Sequence, residues 1–281
     1  MRKIAIEIHD HDSVEKHGID WMIMPRPFND GEQRFVSMSA DGIKEIHEIQ
    51  ALNSEQHAYL MKLDGLHKTS ISYAFSPAPC SRPDWCWQLE NNRYTEASGE
   101  LANLTQDICK DANSQSEAVD NLMQHASEIF GYGHADQRFN DECDQVPHIC
   151  GTTKGSCIDI NTYLIACSRS LGIPVQYMAG YWIHPEKNKT HDMHCWLMFE
   201  LDGIVTYWDL AHHLKWGVKK IGPGLNPAGG TRVPMSMGRG LRFETPVGEV
   251  EFNHFSEPQW LLPDGSTKKP ELSIHLVSDH H

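Results

Sequence analysis

Three residues in the middle of the chain have the types and settings of an activated nucleophile: Cys157, His194 and Asp209. Cys157 follows the small, flexible approach Gly151-Thr-Thr-Lys-Gly-Ser156 and opens the apolar run Ile158 to Leu171. A thiol in the first turn of a helix meets unpaired backbone N–H groups and the positive end of the dipole, which favour a thiolate. The same N–H groups can receive an oxyanion. An imidazole beside the sulfur moves its proton, and a carboxylate beside the imidazole fixes the tautomer and favours the imidazolium. The chemistry of such a set is acyl transfer through a thioester. A lone cysteine is most often a small buried hydrophobe, so the argument rests on the three residues together.

The elements that would position them can be read from periodicity. Ile160, Tyr163, Leu164, Cys167 and Leu171 recur as the stripe of an amphipathic helix, and Gly172-Ile-Pro174 supplies its stop signals. Val175–Ile183 reads as a strand. Met193–Leu201 and Ile204–Leu210 read as a hairpin around the two-residue turn Asp202-Gly203. That turn sets Leu201 opposite Ile204 and Trp196 opposite Asp209. His194 then shares the face of Trp196 and is the diagonal neighbour of Asp209. Cys195 falls on the opposite face. His191, His194, Cys195, His212 and His213 could also be read as metal ligands, but adjacent strand residues point apart and three convergent ligands are required. No metal and no cofactor is expected.

Upstream, Leu101, Leu104, Ile108 and Ala112 mark one helix, and Val119 to Phe130 a second that Gly131-Tyr-Gly133 stops. These would wall the site. Residues 134–156 lack a period and read as a surface loop. Residues 1–75 carry short alternating runs, including Ile4, Ile6 and Ile8, with turn residues between them. The proline-rich run Ser76–Pro83 follows as a breaker. Downstream, Gly222–Gly240 reads as a surface loop or as a flap whose Arg232 and Arg239 could hold a substrate carboxylate. Leu241–Phe255 resumes a strand pattern, and the polar tail from Ser266 reads as frayed.

Gly-Ser-Cys157, the helix ending Leu171-Gly-Ile-Pro174, then His194-x-Trp196 and Asp209 after a hairpin resemble the core of the transglutaminase-like superfamily, over roughly residues 95–215. The resemblance implies an α+β fold, a papain-like, transglutaminase-like core of helices packed on an antiparallel sheet, preceded by a β-rich N-terminal region. The implied division is 1–76 for that region and 77–281 for a catalytic domain with a C-terminal strand extension. It also implies Cys157 as nucleophile, His194 as general base and acid, and Asp209 as its orienter; Trp196 and Arg239 are the candidate substrate contacts. Hydrolysis of an amide bond is the leading expectation. Amide formation with an amine, or a noncatalytic binding role on the same fold, are the alternatives. The chain departs from the family pattern at Val175-Gln176, where an Arg is usual, at Cys195, and at Leu210-Ala-His-His, where Pro-Thr is usual.

Composition narrows the partners. The net charge of −14 disfavours a phosphate-backbone partner, since nucleic-acid binders concentrate positive charge. No apolar run approaches the ~20 residues of a membrane span, and Met1-Arg-Lys opens nothing like a signal peptide. The expected partner is a peptide or small-molecule amide, with no nucleic acid and no membrane. The expected location is the cytoplasm, where the eight cysteines would be free thiols.

Overall fold

The alternation of Ile4, Ile6 and Ile8 places all three inward from a strand, β1 (Arg2–Ile8), in a computed structural model of the chain. The structure describes every residue except 11, 66–67, 88–89, 191–192, 225–226, 228 and 279–281. After β1 come α1 (Asp12–His17), β2 (Trp21–Pro25), β3 (Arg34–Asp41), β4 (Ile43–Gln50), β5 (His57–Leu63) and β6 (Ser70–Ser76). The middle of the chain holds α2 (Gly99–Cys109), α3 (Gln115–Ile129), β7 (Phe130–Tyr132), β8 (Thr153–Gly155), α4 (Cys157–Ser170) and β9 (Val175–Ile183). Next are β10 (Lys189–Thr190), β11 (His194–Leu201), β12 (Ile204–Trp208) and α5 (Leu210–Trp216). The chain closes with β13 (Thr231–Met237), β14 (Leu241–Thr245), β15 (Gly248–Phe252), β16 (Gln259–Leu261), β17 (Thr267–Lys268) and β18 (Leu272–Ser278). The class is α+β, as the sequence implied.

Two compact units emerge. The first takes Met1–Cys86, Ala179–Met193 and Gly230–His281. Its two five-stranded sheets have the orders β10-β18-β1-β6-β3 and β17-β16-β2-β5-β4. The C-terminal strands complete sheets begun at the N-terminus: Ile6 pairs with Ile274, and Met22 with Trp260. The tail expected to fray is therefore a paired strand as far as Ser278. Ile4, Ile6, Met22, Met61, Tyr73, Trp260 and Ile274 form one continuous apolar core. The stretch read as a surface loop over Gly222–Gly240 contains β13, whose residues from Arg232 to Met237 are all buried. Its apolar alternation is masked by Pro234 and by small and basic residues.

The second unit, Trp87–Met178 with His194–Gly229, carries α2 to α5 and the hairpin. Ser98 and Ser114 cap α2 and α3, each side-chain oxygen accepting a backbone N–H three residues on. The central element is α4, buried on every side from Cys157 to Ser168. Polar Asp159, Asn161, Thr162 and Ser168 are buried along with its apolar residues, and α4 packs against α3 and β11. Within this unit Tyr163 of α4 meets the Phe130 and Phe139 rings edge-on at 5.7 and 6.2 Å. No helix among the described residues is long and apolar enough to cross a membrane.

Candidate active site

Cys157 is the first residue of α4, and the chain reaches it through Gly155-Ser156. A side chain at 155 would stand 2.6 Å from the Phe130 ring, so only glycine lets β8 lie against β7 at this point. The Asp159 carboxylate reaches back one turn and accepts from the Ser156 backbone N–H at 2.8 Å. Arg138 donates to both Asp159 (3.0 Å) and Ser156 Oγ (3.2 Å), which locks the first turn.

The hairpin has the register that the Asp202-Gly203 turn requires, from Leu201 opposite Ile204 to Leu197 opposite Trp208. The ladder ends there. Asp209 leaves the strand and caps a short helix, α5, with Oδ1 accepting from the His212 backbone N–H at 3.1 Å. His212 and His213 are therefore helical, where the sequence had read them as strand neighbours. The Asp cap, the good helix formers Leu210, Ala211, Leu214 and Lys215, and Gly217 in the left-handed region at the far end are the signals that could have found α5.

His194 donates from Nε2 to Asp209 Oδ2 at 2.7 Å, and Asp209 is 0% exposed. Cys157 is among the groups that act on the His194 ring. Because Nε2 is committed to the carboxylate, Nδ1 is the nitrogen available to the sulfur. Trp196, expected to touch substrate, is buried with its ring tilted against His194 at 6.3 Å, so it backs the imidazole. Arg239 is a buried residue of the first unit, between β13 and β14.

Two expectations fail here. Cys195 was placed on the face away from His194, yet its sulfur acts on Cys157 and accepts from Asn161 Nδ2 at 3.4 Å. The thiol, expected to be favoured as an anion, is instead pushed well up, by the Cys195 contact and by burial, with His194 pulling the other way. Burial alone would pull His194 down, but the Asp209 charge and hydrogen bond, with the Cys157 contact, lift it to about 9.

A residue the sequence reading set aside also enters. His212 Nδ1 lies 3.1 Å from the same Asp209 Oδ2, and its ring stacks on His194 at 3.9 Å with 11° between planes. Ligand atoms of His194, Asp209 and His212 thus lie within 4.8 Å of one another. The 2.7 and 3.1 Å separations to one oxygen are those of N–H···O bonds; donors sharing an ion at about 2.1 Å stand roughly 3.4 Å apart in a tetrahedron. His191 of the metal reading lies outside the described residues.

This geometry coincides with a family match: the Transglutaminase-like superfamily model covers residues 102–208. Residues 102–208 are therefore similar to the core of that superfamily. The match takes in Cys157 and His194 and stops one residue before Asp209. Among solved structures, a protein from Cytophaga hutchinsonii described as a candidate cysteine protease superposes with a TM-score of 0.53. It is 15% identical, over 98% of this chain and 97% of that one, and it shows a shared fold. The periplasmic domain of TgpA from Pseudomonas aeruginosa is 13% identical, over 76% of this chain and 91% of that one, with a TM-score of 0.38. No curated protein matched the sequence.

Proposed function

We propose that the transglutaminase-like core is a thiol-dependent amide hydrolase in which Cys157, His194 and Asp209 act as a triad. The observation that carries this reading is the buried 2.7 Å bond from His194 to Asp209, made at Nε2, which leaves Nδ1 for the sulfur at the start of α4. The resting site holds a proton on both His194 and Cys157, since His194 stays protonated up to about 9 and the thiol is pushed up. Loss of one proton leaves a single proton shared between sulfur and Nδ1, and its transfer from the thiol to the ring gives the reactive thiolate. The sulfur attacks the amide carbonyl, and backbone N–H groups of the first turn of α4 receive the oxyanion. His194 gives its proton to the departing amine, leaving an acyl thioester on Cys157. Water then attacks the thioester, His194 accepts its proton, and the carboxylic product leaves.

The substrate in this reading is a peptide or small-molecule amide. A cytoplasmic site of action fits the eight cysteines, all of them free thiols. Amide formation differs only in the acceptor that reaches the thioester. The test is to incubate the protein with a panel of acyl anilides and peptide amides, with and without an added primary amine, and to follow acyl-enzyme and products by mass. Release of acid in water, absent in Cys157→Ala, supports hydrolysis; transfer only to the amine moves the reaction to acyl transfer. Turnover retained in Cys157→Ala would remove the thioester mechanism.

A further inference from the structure

We propose that His212 is a positioning residue for this site: it shares the carboxylate of Asp209 with His194 and thereby sets the tautomer and basicity of the His194 ring. The inference rests on the triad reading for its purpose and on separate geometry for its content. Asp209 Oδ2 faces two ring nitrogens, His194 Nε2 at 2.7 Å and His212 Nδ1 at 3.1 Å. A carboxylate oxygen only accepts, so both nitrogens carry hydrogen. That assigns His194 the Nε2–H arrangement, with Nδ1 as the nitrogen that exchanges a proton with Cys157. It assigns His212 the Nδ1–H tautomer.

The stacking adds a second constraint. Parallel rings 3.9 Å apart in a buried site do not both hold a positive charge at small cost. When His194 is the imidazolium, His212 is neutral. A neutral second donor spends part of the Asp209 charge, so His194 binds its proton less tightly than with sole use of the carboxylate. His212 is itself held on three sides: by the His194 face, by Asp209, and by the Trp216 ring edge-on at 4.2 Å. Its backbone N–H also goes to Asp209 Oδ1, so helix cap and imidazole clamp are one carboxylate.

Ionisable groups on the neighbouring elements have other engagements. His213 donates from Nδ1 to the Asp209 carbonyl at 2.9 Å. Asp159 of α4 is tied to Arg138 and Ser156, and His125 of α3 stands 3.2 Å from the Tyr163 hydroxyl. Lys215 of α5 lies over the Tyr132 and Trp216 rings. Cys157 and Cys195 act on each other, and Cys157 and His194 do so as well. The groups that set the His194 charge are therefore Asp209, Cys157 and, on this proposal, His212.

The experiment follows the ring nitrogens of the full-length protein by ¹⁵N NMR with labelled histidine, assigned through single His variants. In the unsubstituted protein the His212 ring should appear as the neutral Nδ1–H tautomer throughout the range in which His194 is protonated. His212→Phe keeps an aromatic ring and removes the donor, and it should raise the His194 titration midpoint by about half a unit to one unit. His212→Asn places an amide N–H near the Nδ1 position and should restore most of the shift. An Nε2–H tautomer at His212 in the unsubstituted protein would overturn the proposal without any variant having to fold. So would a His194 midpoint unmoved in folded His212→Phe, whatever that change does to stability. Neither readout uses turnover: failure to hydrolyse any amide would sink the proposed function alone, and a wrong tautomer would sink this inference alone.

Discussion

Replacing Asp209 with Asn tests the electrostatics of the site, because the side chain keeps its shape and loses its charge. His194 titrates at about 9 in the folded protein against an ordinary value of 6.5. A lift of that size corresponds to roughly 3 kcal/mol of preferential stabilisation of the imidazolium. The folded value is raised, so the contribution is fully present below about pH 6.5 and is lost as pH rises through about 9. In Asp209→Asn, burial acts on His194 with only the Cys157 contact left to oppose it, and the folded site prefers the neutral ring. The stability gap between the two proteins should therefore be about 3 kcal/mol larger at pH 6.5 than at pH 10. Urea unfolding of both proteins at several pH values measures it, and charge effects elsewhere in the molecule cancel in the difference. A gap of the same size at both ends of the range would refute the assignment of the His194 charge to Asp209. Activity should fall further than stability. The Asn amide N–H would face His194 Nε2 and turn the ring toward the wrong tautomer, a change worth on the order of 10⁴ in kcat in comparable triads.

Cys157→Ala should abolish acyl-enzyme formation while changing stability by only about 1 kcal/mol, read by intact mass and urea unfolding. Alkylation of Cys157 by iodoacetamide should keep accelerating with pH beyond about 9, since His194 holds its proton to about that point and the thiol is pushed up. A plateau already reached at neutral pH would contradict this. Cys195→Ala removes the leading cause of the raised thiol, so its alkylation profile should move to lower pH; an unmoved profile would show that burial alone sets it. Gly155→Ala would press a methyl group to 2.6 Å from Phe130, costing about 1–3 kcal/mol and displacing Cys157, so alkylation and unfolding should both change.

The parts of this protein that were legible in the sequence are the ones whose information is local. The helix stripes around Leu101, Val119 and Tyr163 follow from spacing alone, and the Asp202-Gly203 turn fixes every pair up to Leu197 and Trp208. The meeting of His194 and Asp209 came from that register, though Asp209 makes the contact as a helix cap just past the ladder. What could not be read depends on partners far along the chain. β5 has a strand pattern diluted by His57, Tyr59 and Lys62, and its place is set by pairing with β2 and β4. β18 looks like a polar tail until β1 lies beside it. Cys195 escaped because its sulfur answers to α4. His212 escaped because strand geometry had been carried two residues too far.

The strand pairing of the first unit has a consequence for how the protein is made. β1 pairs with β6 on one side and with β18 on the other, and β2 pairs with both β5 and β16. When residues 1–76 leave the ribosome, each of these strands has one neighbour available and one that is more than 180 residues from being synthesised. The nascent chain therefore carries two open sheet edges lined with unpaired N–H and C=O groups, the kind of edge that recruits other strands. The second unit, built largely from local helix contacts, can form in the interval, whereas closing the two five-stranded sheets waits on the last 25 or so residues and on long loop closures. Loss of β16 to β18 by an early stop would then reopen both sheets, and the penalty would appear as aggregation during expression before it appeared as lost catalysis.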